Sequence, residues 1–554
     1  MKRTGAQIVL ECLKEQGVDK IFGYPGGAVI PLYDALYDQM DHFEHIRTCH
    51  EQGATHAADG YARSTGKVGV CIVTSGPGAT NTVTGIATAY MDSVPLVVIT
   101  GQVASNLLGR DSFQEVDITG ITMPITKHSF FVKDVDKLAD TIHQAFMIAK
   151  SGRPGPVLID IPKDVFLAES EYTDYQEDRE TEEAFKENKY RRAEIAEAVE
   201  LIEKAQRPII YAGGGVIIAD AAKEFYEMVV KGNIPVVNTL MSLGSFPREH
   251  PLSLGLVGMH GLRPANLAVS NSDLVIAVGA RFSDRVIGAA DQFAKKAKLI
   301  QIDIDKSEIG KNIDVDVSLV GNMKKLLAEL TNQIRHKERT EWLKQIRQWE
   351  WKPEENKNAF GAKGILETAQ NILGNDVIVT TEVGQHQMWT AQHWKFNEPR
   401  RFISSGGLGT MGYGLGAAIG AQIGNPQKRV LHIAGDGSFR MNCNELATVS
   451  KYRLPIIILL FNNCALGMVR QWQKLFCDGR YSQTDITGEV DYMKLAEAYG
   501  LKGKRVEDIA ALEEALKEAV KSEQAMVIEC ILSKNDNVFP MVPPGAPIDH
   551  IILE

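Results

Sequence analysis

Residues 429–463 constrain this chain more than any other stretch. An apolar run at 429–434 leads into Gly435-Asp436-Gly437, helical spacing covers 442–452, and a second apolar run at 455–461 ends in Asn462-Asn463. Two strand-length apolar runs flanking a helical segment predict a βαβ unit with a tight turn at 435–438. Its strands are then parallel. Asp436 and Asn463 leave them at adjacent carboxyl ends, the sheet edge where ligands of α/β proteins bind. Both side chains offer hard oxygen, and magnesium takes one or two such ligands together with water and the oxygens of a diphosphate. Asp436, Asn463 and the backbone carbonyl of Ala465 form a candidate set. Gly-Asp-Gly alone would mean only a glycine turn with a helix-capping Asp; the Asn pair closing the next strand is what points to a metal.

The same strand-helix rhythm runs through the whole chain. At 554 residues there is room for about three or four domains with cores of their own. Apolar strand patterns at 21–24, 68–74, 96–100 and 157–161 define a first block, 1–165. Those at 208–211, 235–238, 273–278 and 299–303 define a second, 190–335. A third, 359–554, carries 376–381, 429–434, 455–461 and 526–532. The expected fold is α/β, three doubly wound parallel-sheet domains. The acidic stretch 169–189 reads as a solvated linker, and the charged, Trp-bearing stretch 336–358 as the crossing to the third block.

Composition removes several classes of function. A net charge of -10 with no basic stripe argues against nucleic acid. The seven cysteines show no CxxC pair and no His cluster at metal spacing, which fits a reducing compartment. The longest apolar run, 454–461, is far short of the roughly 20 residues of a membrane span. The first residues enter an amphipathic helix interrupted by charges rather than a signal peptide, so the cytoplasm is expected.

Other strand ends carry further motifs. Cys49-His50-Glu51-Gln52-Gly53-Ala54 precedes a helix, where an isolated Glu favours the positive end of the helix dipole. Ser75-Gly76-Pro77-Gly78-Ala79-Thr80-Asn81 follows a strand and opens a helix, but lacks the Gly-Lys-Ser/Thr ending of a P-loop. Gly23-Tyr24-Pro25-Gly26-Gly27 is a turn. Gly213-Gly214-Gly215 lacks dinucleotide GxGxxG spacing, yet with 256–261 (LVGMHG), 279–285 (GARFSDR) and Asp303-Ile304-Asp305 it suggests an extended nucleotide along a sheet edge. Glu382-Val383-Gly384-Gln385-His386 and 407–412 (GLGTMG) offer helix N-termini and glycine amides suited to an anion. Met468 and Trp472, four apart, share a helix face.

Taken together these motifs resemble those of thiamine diphosphate enzymes. Over nearly its whole length the chain is similar to the catalytic subunits of the acetohydroxyacid (acetolactate) synthase family. The resemblance implies the decarboxylase/oxidase type of fold, with thiamine diphosphate, Mg2+ and FAD as cofactors. It makes Glu51 the carboxyl beside the aminopyrimidine ring, a role that needs an apolar site. Pro77 and Asn81 then lie along that end of the cofactor, and Gly26 lies beside its reacting carbon. Val383, Gln385, His386, Gly409, Met411, Gly435, Gly437, Ser438, Leu466 and Gly467 surround the rest of it. Arg153, Gly213, Gly214, Thr239, Leu240, His260, Gly279, Arg281, Asp284, Asp303 and Ile304 surround FAD.

For the substrates, the resemblance places Phe113, Gln114, Lys163 and Met468 around the channel. Arg285 holds the carboxylate of the second substrate, and Trp472 favours 2-oxobutyrate over pyruvate. Ser283 stands where some members carry Asp, while Asp284 and Arg285 remain. The implied reaction decarboxylates pyruvate and transfers the two-carbon unit to pyruvate or 2-oxobutyrate, giving 2-acetolactate or 2-aceto-2-hydroxybutyrate. The implied assembly is a homodimer or homotetramer with a small regulatory subunit. A catabolic FAD-independent acetolactate synthase and a pyruvate oxidase share the fold and stand as alternatives.

Overall fold

The computed structural model describes residues 1–173, 192–351 and 360–554. It contains three six-stranded parallel sheets. The first has β2 (Lys20–Tyr24), β3 (Glu44–Arg47), β4 (Gly69–Val73), β5 (Leu96–Gln102), β6 (His128–Phe131) and β7 (Pro156–Pro162) in the order β3-β2-β4-β5-β7-β6. β1 (Lys2–Thr4) pairs antiparallel with β8 (Glu169–Glu171) beside it. The second sheet has β9 (Pro208–Ala212), β10 (Val236–Asn238), β11 (Ser253–Leu256), β12 (Leu274–Val278), β13 (Lys298–Asp303) and β14 (Val317–Val320) in the order β11-β10-β9-β12-β13-β14. The third has β15 (Ile378–Thr381), β16 (Phe402–Ile403), β17 (Val430–Gly435), β18 (Ile457–Asn462), β19 (Lys502–Val506) and β20 (Met526–Ile531) in the order β16-β15-β17-β18-β20-β19.

The first and third sheets share one topology, 2-1-3-4-6-5 in their own strand numbers. The middle sheet runs 3-2-1-4-5-6, the order of dinucleotide-binding sheets. The sequence patterns found the four inner strands of each sheet. Inner strands are covered on both faces, so they read as unbroken apolar runs; all seven residues of β5 are buried. Each sheet's two edge strands escaped: β19 (KGKRV) and β3 (EHIR) carry charge, while β6, β11, β14 and β16 are only two to four residues long.

Several expectations need correction. The βαβ unit forms, with β17 and β18 paired in parallel, but 435–438 is no simple turn: Asp436–Phe439 is a helical turn. The helix expected at 442–452 is split into a 3-10 turn, Cys443–Glu445, and a short helix, Leu446–Lys451. The stretch 336–358 does not simply cross between blocks. Its helix Thr340–Gln348 buries Trp342 and Ile346 against the middle sheet, and the Trp342 indole donates to the Pro208 carbonyl at 3.0 Å. The stretch 169–189 begins as β8, which ties it to the N-terminal residues. Most of that stretch, residues 352–358 and the boundaries at 190 and 359 lie outside the described residues.

The first and third domains meet along two helices, Glu51–Thr65 and Gly414–Gly424. Glycines make the close approach possible: a Cβ on Gly60 or Gly420 would collide with the backbone of Ala417 or Ala57. The C-terminal residues return to the middle domain, where Ile548 joins its core and Val542 N–H donates to the Met259 carbonyl at 2.7 Å.

Candidate active site

In a doubly wound sheet the ligand crevice opens where strand order reverses, outside the carboxyl ends. In the third sheet that point lies between β15 and β17. β15 delivers Glu382, Val383, Gly384 and Gln385 to it, and β17 delivers Gly435, Asp436, Gly437 and Ser438. A cavity of about 440 Å³ occupies the crevice. Its wall includes Val383, Gln385, His386, Gly409, Met411, Gly435, Asp436, Gly437, Ser438, Asn463, Ala465, Leu466 and Gly467. Met468, Trp472 and Arg285, expected around the substrates, also line it, and so do His260 and Leu240, which were expected around FAD.

Asp436 and Asn463 are both buried beside each other's strand ends. The Asn463 Oδ1 accepts from Ala465 N–H at 3.2 Å, and its amide donates to the Gln385 Oε1 at 3.1 Å. Burial pushes the Asp436 carboxyl up to about 7, against the backbone amides of Gly437, Cys464 and Ala465 and the charge of Arg440. The floor is glycine for steric reasons. A Cβ on Gly435 would press on the His386 ring, and one on Gly437 on Leu466. Three lining residues carry buried polar atoms with no partner among the described residues: Nε2 of His386, Nδ1 of His260 and Nε1 of Trp472. Burial lowers His386 to about 3 and His260 to about 4, so both rings are neutral near pH 7. Such atoms are costly unless water or a ligand satisfies them.

At the cavity wall the Arg285 guanidinium lies over the Trp472 ring, 5.5 Å from its centre. The helix Gly467–Phe476 presents Met468 and Trp472 as the four-residue spacing predicts. Asp284 is largely exposed, with its carboxylate 3.8 Å from Arg285 Nε.

Sequence reasoning passed over Glu382 as a working residue. It is fully buried and accepts from Gly412 N–H at 2.7 Å, Gly414 N–H at 2.9 Å and Ser438 Oγ at 2.7 Å. It therefore joins the glycine-rich loop to the Asp436 turn. Burial pushes it up to about 7 against those bonds. A carboxylate directly after a buried strand was the available signal.

The first sheet's reversal point, between β2 and β4, gathers a second group that does not line this cavity. Asn81 donates to the Glu51 Oε2 at 2.9 Å, and a Cβ on Gly78 would stand 3.4 Å from Glu51 Oε1. Gly26 packs on Thr74, Pro77 opens the short helix Pro77–Thr80, and Gly76 packs on the Gln114 backbone. Glu51, Asn81, Gly26 and Gln114 thus share one sheet edge. Phe113 is 87% exposed, and Lys163 starts the helix Lys163–Leu167 at the end of β7. Neither lines the cavity within one chain.

The middle sheet reverses between β9 and β12. Gly213 and Gly214 follow β9, and Gly279 follows β12; Gly213 and Gly215 pack so closely on Gly279 that neither has space for a Cβ. Thr239 and Leu240 follow β10. Asp303, which ends β13, is buried and raised to about 6, and Ile304 beside it is half-exposed. Arg153 reaches across from the first domain to Glu308, 2.7 Å away. Burial lowers the Arg281 guanidinium, with Arg153 adding to the effect.

The chain matches three family models: thiamine pyrophosphate enzyme, N-terminal TPP binding domain, over residues 3–121; central domain, over 195–330; and C-terminal TPP binding domain, over 382–530. It is 46% identical to the acetolactate synthase isozyme 2 large subunit of Escherichia coli (strain K12), over 98% of both chains. It is 48% identical to the acetolactate synthase large subunit of Parasynechococcus marenigrum, over 98% of this chain and 90% of that one. It is 45% identical to the probable acetolactate synthase large subunit of Methanocaldococcus jannaschii, over 99% and 95%.

Proposed function

The chain belongs to the thiamine pyrophosphate-dependent acetolactate synthase large-subunit family, and from that premise we propose how its residues divide the work. The reaction is decarboxylation of pyruvate and joining of the remaining two-carbon unit to the ketone carbon of a second 2-oxo acid. Pyruvate as acceptor gives 2-acetolactate; 2-oxobutyrate gives 2-aceto-2-hydroxybutyrate. These are the first committed products of branched-chain amino-acid synthesis.

The observation that carries the assignment of roles is the cavity at the β15/β17 reversal. It combines two buried oxygen ligands, a glycine floor and the His386 Nε2, which has no partner among the described residues. That set fits a diphosphate with its metal. Asp436, Asn463 and the Ala465 carbonyl would hold Mg2+, a geometry of one or two side-chain oxygens suited to that ion. Gln385, His386 and the glycine amides would hold the diphosphate. Bound thiamine diphosphate supplies a thiazolium that accepts the electrons released with carbon dioxide. Glu51, at the other reversal point, would hydrogen-bond the pyrimidine ring. Arg285 orients the acceptor through its carboxylate, for which a planar guanidinium is suited. Trp472 packs beside the acceptor's extra methyl.

Glu51 and the cavity lie at separate sheet edges of one chain, which supports an assembly of at least two copies sharing each site. A homodimer or homotetramer follows, with Phe113, Gln114 and Lys163 brought to the cavity by the partner copy. The relatives' description as large subunits supports a small regulatory partner. FAD suits the middle sheet: its strand order is that of dinucleotide binders, and the glycines at its reversal allow backbone approach. Its part is structural, since the reaction transfers no net electrons. No helix among the described residues is long and apolar enough to cross a membrane. The reaction belongs in the cytoplasm.

Flavin content tests the FAD assignment. Protein purified with about one oxidised flavin per chain, unreduced during turnover with pyruvate, supports it. A flavin-free active enzyme, or flavin reduced by pyruvate, points to one of the alternatives of the same fold.

A further inference from the structure

The first and third domains grip each other through two buried carboxylates, and each grip falls on a segment of the candidate site. Glu445, from the third domain, is fully buried. It accepts the backbone N–H of Cys49 at 3.1 Å and of His50 at 3.0 Å, the two residues before Glu51. Thr448 Oγ1 donates to it at 2.6 Å, and Gly53 leaves room for it in the first turn of the Glu51–Thr65 helix. Asp92, from the first domain, does the converse. It accepts the N–H of Gly406 at 3.0 Å and of Gly407 at 2.7 Å, at the head of the loop that carries Gly409 and Met411. Arg63 braces it at 3.0 Å, donates to the Ser404 carbonyl at 3.0 Å and pairs with Asp59. Glu382 closes the far end of the same loop.

We propose that Glu445 and Asp92 are reciprocal positioning residues, Glu445 fixing the Glu51 segment and Asp92 fixing the loop at 406–412. The assignment rests on the thiamine reading above. Neither side chain lines the cavity, so neither touches cofactor or substrate within the chain. Each holds two amides that no helix or strand satisfies, and a carboxylate is the side chain that can accept both. In a dimer with shared sites the two gripped segments face different cofactors. One rigid pair of domains then sets half of each site.

The isosteric variants Glu445→Gln and Asp92→Asn keep the volume but replace one acceptor oxygen with a donor. Hydrogen exchange of the cofactor-free protein, followed by mass spectrometry, reads the grip directly. Glu445→Gln should speed exchange at least tenfold at residues 49–50 and leave 406–407 unchanged; Asp92→Asn should do the reverse. With thiamine diphosphate and Mg2+ added, Glu445→Gln should slow C2-proton exchange of the bound cofactor about tenfold at nearly constant half-saturation. Asp92→Asn should raise the half-saturating cofactor concentration about tenfold. Glu445→Asp, which keeps both oxygens, should recover part of the exchange rate.

Effects that simply track a fall in melting temperature, with both segments loosened equally by either variant, would overturn the proposal. So would variants indistinguishable from an active wild type. A wild type that binds no thiamine diphosphate would instead remove the reading on which the roles rest, while the exchange result would still report the grip.

Discussion

The guanidinium of Arg285 stands 5.5 Å from the centre of the Trp472 ring, its cation facing the π surface. The two side chains come from different domains, Arg285 following β12 and Trp472 on the helix after β18. In the roles proposed above, one would recognise charge and the other would pack against a hydrocarbon, so that the pair would select among 2-oxo acids by length. A methylene is worth about 1–3 kcal/mol in such a pocket. Trp472→Leu should lower the preference for 2-oxobutyrate over pyruvate about tenfold while acetolactate formation continues. The ratio of the two products in direct competition measures it; an unchanged ratio removes Trp472 from the selectivity.

Arg285→Lys tests the other member. Lysine keeps the charge but loses the flat fork and the stacking surface. The half-saturating concentration of the acceptor should rise at least tenfold, with the release of carbon dioxide from pyruvate much less affected. Equal loss in both steps would show that Arg285 serves something other than the acceptor.

Gly420→Ala probes the contact between the two site-bearing domains. Alanine favours a helix by about 1 kcal/mol over glycine. Here, however, the Cβ would fall on the Ala57 carbonyl, a backbone atom that cannot move aside cheaply. Overpacking of this kind costs about 1–3 kcal/mol and should win. Thermal unfolding is expected to show a lower melting temperature, and a stabilised variant would contradict the packing described.

His56 is buried against Tyr413, and burial lowers its pKa to about 3 from 6.5. The folded value lies below the unfolded one, so below pH 6.5 the unfolded chain binds the proton first. The stability held above 6.5 is therefore lost as pH falls toward 3, at about 1.4 kcal/mol per pH unit. Glu382 and Asp160, both raised to about 7, act in the opposite sense over much of this window, so the whole protein shows only the net effect. Comparing His56→Gln with the wild type isolates one group. The variant should lose less stability in urea titrations between pH 6.5 and 5, and parallel curves would contradict the assignment.

What the sequence disclosed and what it hid follow one physical division. Inner strands are buried on both faces and announce themselves as apolar runs, so the residues at their ends that line the candidate site, Asp436, Asn463 and Gln385 among them, could be located directly. Edge strands such as β19 are half solvated and carry no such run. The Trp342 helix looked like a charged linker because its buried face is only a few residues wide. Glu382, Glu445 and Asp92 act on backbone amides brought together by the fold, a relationship that leaves no spacing in the chain. Cys12, Glu15 and His143 likewise come together only in space, their ligand atoms within 4.8 Å.

The products of turnover distinguish this enzyme most directly from others of the same fold. The purified chain should be given pyruvate and 2-oxobutyrate together, with thiamine diphosphate, Mg2+ and FAD, and with and without a small regulatory subunit. A marked excess of 2-aceto-2-hydroxybutyrate over 2-acetolactate, abolished by omitting thiamine diphosphate, is the predicted result. Carbon dioxide release with neither acetohydroxy acid formed under either condition would contradict it.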